Sequence, residues 1–108
     1  MRVRTEGDIR QSLIKKTPLG SKADQVVNDL RTKWSKENIM LLQRPGYDRG
    51  SRGYTVAVGN KSIGPIEIGW YWTSIPGLPM ITYVFATWVF DENDRLIAVL
   101  VHKEIDAP

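Results

Sequence analysis

The stretch from Met80 to Val101 constrains this chain most: MITYVFATWVF, then DENDR, then LIAVLV. Val, Ile, Thr, Tyr, Phe and Trp crowd both arms, and these side chains suit a pleated, half-buried surface. The polar connector 91–95 is built of turn formers, and Asn93 or Asp94 can adopt a positive φ more readily than most residues other than Gly. The pattern predicts a β-hairpin, and the remaining elements have to pack against it. With Asp91 opposite Arg95, Phe90 falls opposite Leu96, Trp88 opposite Ala98 and Ala86 opposite Leu100. The second face then pairs Val89 with Ile97, Thr87 with Val99 and Phe85 with Val101; a slip of one residue would reassign them all.

Upstream, Asp8 to Lys16 reads as a short helix with Ile9 and Leu13 on one face and Lys15 and Lys16 complementing the helix dipole. Thr17-Pro18-Leu19-Gly20 ends it. A second helix over 21–36 places Ala23, Val26, Val27, Leu30 and Trp34 in one stripe, with Ser21 as its expected N-cap and Trp34 as a core anchor. The apolar run 39–42 suits an edge strand. A Gly-rich basic loop over about 43–53 follows, carrying Arg44, Arg49 and Arg52, and is expected to be a solvated connector. The sheet is expected over about 54–103. It includes a short strand 54–58 and a strand 66–73 (IEIGWYWT), in which alternation puts Ile66, Ile68, Trp70 and Trp72 on one face. Together these make one domain over residues 1–108: α+β, with two N-terminal helices packed on one face of a mainly antiparallel sheet of about four strands.

Composition removes several classes of chemistry. The chain has 108 residues, 42% of them hydrophobic and 25% charged, which suits a soluble globular domain rather than a disordered one. Cysteine is absent, so disulfides, thiolate ligands and Cys nucleophiles are excluded together. His102 is the single histidine, which leaves no His pair to hold a metal. No nucleophile-elbow pattern surrounds any serine, and Val58 to Ser62 lacks the glycines of a phosphate-binding loop. Glu67, near Trp70 and Trp72, is the one carboxylate suited to an apolar cleft. The reading is therefore non-enzymatic, with no cofactor or metal. No apolar run is long enough to span a membrane, and the start lacks the apolar core of a secretory signal. The compartment stays open: cytoplasmic by default, periplasmic if a leader has been removed.

Charge divides the chain. Residues 1–64 hold thirteen Lys and Arg against six Asp and Glu, a balance of +7; residues 65–108 hold two against six, −4; the sum is the overall +3. The basic half carries the helices and the loop, and the acidic half the sheet. Both faces of the hairpin are apolar or aromatic, yet two short helices can cover only one. An aromatic patch drawn from Trp70, Tyr71, Trp72, Tyr83 and Trp88 is therefore expected on the other face, with Arg44, Arg49 and Arg52 on the adjoining loop steering a partner. The alternative cover for that face is the loop itself or a second subunit.

Two segments carry a resemblance. Residues 17–30 (TPLGSKADQVVNDL) are similar to the opening of the helix in the small α+β modules of β-lactamase-inhibitor proteins and of the small outer-membrane-assembly lipoproteins. Residues 88–96 (WVFDENDRL) resemble the F-D-x-x-G-x-L hairpin of those modules, with Asp94 where Gly is usual. There is no lipobox cysteine, no disulfide pair and only one apparent module. The resemblance implies a non-enzymatic protein that binds another protein through its sheet, and it implies no particular target. A homodimer through the sheet is a further option, and nucleic acid is not the expected partner. Two other readings stay open: a small-ligand pocket between sheet and helices lined by the same aromatics, and single-stranded nucleic-acid binding through the basic loop.

Overall fold

A computed structural model describes residues 5–34, 39–49 and 53–106. Helix α1, Glu6–Lys16, begins before Asp8 because Thr5 caps it: the Thr5 hydroxyl accepts from the Asp8 amide at 3.0 Å. It ends at Thr17, whose amide and hydroxyl both donate to the Leu13 carbonyl. Helix α2 runs Ala23–Trp34 and buries Ala23, Val26 and Leu30, with Val27 and Trp34 packed partly against the same core. Ser21 does not cap it as its sequence position suggested. The Ser21 hydroxyl donates back to the Pro18 carbonyl, and the first helical amide, that of Ala23, donates to the Asp94 carbonyl in the hairpin turn. The α2 entry is thus fixed by tertiary contact rather than by a local cap.

Five strands follow: β1 Gly46–Arg49, β2 Thr55–Val58, β3 Lys61–Ile75, β4 Leu78–Phe90 and β5 Leu96–Asp106. They form an antiparallel sheet β3-β4-β5 and a separate antiparallel ribbon β1-β2, so the expected four-stranded sheet is three strands plus a two-stranded ribbon. The architecture is α+β with helices against an antiparallel sheet. The basic segment expected to be a solvated connector contains strand β1, paired from Gly46–Val58 to Arg49–Thr55. Arg52 lies outside the described residues. The 39–42 run is not a strand; it touches the sheet through one bridge, Leu42 to Ser62.

The β4-β5 turn forms as its residues predict. Asp91 Oδ1 accepts from the amides of Asn93 and Arg95, and Asp94 takes the left-handed conformation at φ 60°. Lys61 reaches across to pair with the Asp94 carboxylate. Phe90 faces Leu96 as expected, but the next pair is Val89 with Ala98. Ile97 is an extra residue on β5, so every pair beyond it shifts by one: Trp88 meets Val99, Ala86 meets Val101 and Phe85 meets His102. The bulge leaves Ile97 exposed and gathers Val84, Ala86, Trp88, Phe90, Leu96, Val99 and Val101 under the helices.

Candidate functional site: the outer face of the sheet

Alternation along β3 breaks twice, between Ile63 and Ile66 and between Glu67 and Gly69. Ile66 stands opposite Ala86 on the helix side, and Glu67 opposite Phe85 on the outer side. Ile68 is then an extra residue: Gly69 meets Val84, Trp70 meets Tyr83, Tyr71 meets Thr82 and Trp72 meets Ile81. Strict alternation would have kept Ile66, Ile68, Trp70 and Trp72 together. The bulge instead keeps Ile66 and Ile68 with the core and turns both tryptophans outward. Trp70 is 54% and Trp72 60% exposed, and their rings meet edge to face at 6.3 Å and 83°.

The other aromatics divide between the two sides. Tyr83 is half-buried on the outer side between Trp70 and Glu104. Phe85 stacks on His102 at 5.2 Å between centroids and 15° between planes, and His102 Nε2 lies 3.4 Å from Glu104 Oε1. Tyr71 belongs to the helix side, packed partly against the core with the Lys103 ammonium 5.4 Å above its ring. Trp88 has to be taken out of the patch. It is fully buried against Trp34 at 6.0 Å, and its indole donates to the Thr17 hydroxyl at 3.1 Å. Of the expected patch, the structure brings Trp70, Trp72 and Tyr83 together and assigns Tyr71 and Trp88 to the other side of the sheet.

The β1-β2 ribbon covers the remainder of the outer face. Gly46 lies so close that a Cβ there would stand 2.6 Å from Val89 Cγ2, and one at Gly59 would stand 2.3 Å from Val89 Cγ1. The ribbon therefore closes over Thr87, Val89 and Leu100 and leaves the Trp70–Trp72 end open. Between ribbon and sheet runs an open cleft of about 510 Å³, lined by Arg44, Tyr47 and Arg49 on one wall and by His102 and Glu104 on the other. Arg44 and Arg49 thus face His102 and Glu104 across the cleft.

Comparison with family models, curated proteins and solved structures finds no match. The reading of the site rests on the chain's own geometry. Glu67 is exposed, at the rim of an apolar groove of about 330 Å³ formed by Ile39, Met40, Leu42, Ile63 and Ile66. The space between helices and sheet, where the alternative reading put a ligand pocket, is filled by Leu13, Val26, Leu30, Trp88 and Phe90. Among the described residues no cluster of His, Asp and Glu is arranged to hold a metal, and no helix is long and apolar enough to cross a membrane. The expected strand over 54–58 is β2, but its partner β1 was hidden within the Gly- and Arg-rich segment, and so was the ribbon the two form. Gly46 and Gly59 were the available signal, since glycine permits two backbones to approach closely.

Proposed function

We propose that this chain is a non-enzymatic module that binds another protein through the open end of its outer sheet face. The observation that carries the reading is the exposure of Trp70 and Trp72 side by side, against complete burial of Trp88 one strand away. Tryptophan is the residue most enriched among interface hot spots, and a rigid pair needs little side-chain ordering on contact. Arg44 and Arg49, on the cleft between ribbon and sheet, supply charge that would accelerate encounter with an acidic rim. The reading agrees with what the resemblance of segments 17–30 and 88–96 implies, and the order helix, helix, antiparallel hairpin supports it.

The test is affinity capture from the native host, followed by calorimetry with the purified candidate. Trp70→Ala and Trp72→Ala should each weaken binding by about 2 kcal/mol or more, roughly thirtyfold. The far-ultraviolet spectrum and melting temperature should stay close to those of the parent. Unchanged affinity in the double variant refutes the reading.

A further inference from the structure

The sheet has two edges, and they are guarded unequally. β5 is screened along its upper half: the 18–22 segment pairs with Leu96, and Arg10 Nε donates to the Val99 carbonyl at 3.0 Å. Its lower half carries Lys103, Glu104 and Asp106, the charged residues that discourage strand addition. β3 is protected at its start by the Leu42 bridge, by Pro65 and by the two bulges. Beyond the Ile68 bulge that protection stops. Gly69 to Ile75 reads GWYWTSI, seven residues with no charge and no proline, at the outer edge of the sheet. Among the described residues no backbone bond joins this stretch to anything but β4. A long, uncharged, aromatic edge strand is a template for strand pairing.

We infer that this edge pairs with the same edge of a second copy, antiparallel, forming a two-fold symmetric six-stranded sheet centred on Tyr71. A second copy fits better than a foreign peptide because the segment brings no like charges against itself. An antiparallel two-fold also satisfies both rows of edge hydrogen-bonding groups at once. Opposed residues must share a face, and both copies have the same faces, so the numbers of each opposed pair add to an even sum. Centring on Tyr71 sets Trp70 opposite Trp72 of the second copy, and Trp72 opposite its Trp70. That register makes two aromatic cross-strand pairs and joins four indoles on one continuous outer face. The edge pairing uses backbone groups, so the open face stays available and the partner platform of the proposed function is doubled. The inference does not rest on that function.

Two measurements test it, both on the full chain without any partner protein. Sedimentation equilibrium of the parent chain over micromolar to millimolar concentration should show a reversible monomer–dimer equilibrium; a monomer throughout overturns the inference. The absence of cysteine makes single-cysteine mapping clean. Under mild oxidation Tyr71→Cys should give a covalent dimer, because the two Cα atoms at the centre would lie about 4.5–5.5 Å apart, within disulfide reach. Thr73→Cys should not, because the two sulfurs would be four residues out of register, about 13 Å. Cross-linking at position 73 in preference to 71 overturns the register. A monomeric parent that takes up an extended peptide at this edge overturns the second copy as occupant.

Discussion

Trp88 and Trp70 lie on neighbouring strands and differ in every physical respect. The Trp88 indole is sealed under the helices, and Thr17 is placed to accept its N–H while donating its own hydroxyl to Leu13. Trp88→Ala should therefore cost about 3–5 kcal/mol of stability, as large core truncations do. Thr17→Val removes the acceptor but keeps the volume, leaving a buried donor unpaired at a cost of about 1–3 kcal/mol. Urea denaturation reads both. Trp70→Ala and Trp72→Ala should shift the same midpoint by about 0.5 kcal/mol or less, since exposed side chains contribute little to folding. Fluorescence gives an independent check on this division. Iodide should quench the parent strongly, and removing Trp70 and Trp72 should abolish most of the quenchable signal, leaving the sheltered emission of Trp88 and Trp34. Sequence alone could not separate Trp70 and Trp72 from Trp88. All three sit in β-prone, aromatic runs, and what separates them is the side of the sheet each faces once Ile68 bulges.

Both helices and the hairpin turn were legible as elements because each is specified locally. The stripe from Ala23 to Trp34 has one face, and Asp91 satisfies the amides of its own turn. Register was not legible. Ile68 and Ile97 each insert one residue into a strand, and nothing in an apolar run marks which residue will bulge. Strand β2 was legible, but its pairing with β1 escaped for another reason. The ribbon is held by backbone proximity at Gly46 and Gly59 rather than by a hydrophobic stripe of its own. Gly59 combines φ 70° with contact to both Val89 and the Phe90 carbonyl. Gly59→Ala should be destabilising by more than the ~1 kcal/mol typical of losing a left-handed glycine, because the new methyl must also displace backbone. Gly20→Ala is the matched control: φ is 90° there and no atom lies within 4 Å of the added carbon. In that pair, the excess loss at Gly59 measures how tightly ribbon and sheet adhere, and equal losses would mean that the ribbon is free to lift.

At the scale of the molecule, the sheet is longer than the helices that cover it. The overall extents are 50 × 32 × 23 Å, and the buried residues of β4 are concentrated from Val84 to Phe90, leaving the β3–β4 hairpin to project past the core. Stability should therefore be graded along the strands rather than uniform. Amides of Trp88, Val89 and Leu100 lie between packed layers, with helices on one side and the ribbon on the other. Their hydrogen exchange should require global unfolding. Amides of Tyr71, Trp72 and Met80 belong to the projecting part, where fewer apolar contacts oppose local opening. They should exchange through partial opening at a lower free energy. Concentration then separates the isolated molecule from an assembled one. If β3 joins its counterpart, protection should rise with protein concentration along Gly69–Thr73 and stay constant at Trp88 and Leu100, because only the edge gains new hydrogen bonds. A uniform rise would instead signal general stabilisation. Protection that is independent of concentration along 69–73 would leave the projecting hairpin as a single-copy platform, whose unguarded edge a partner of the proposed kind would have to shield.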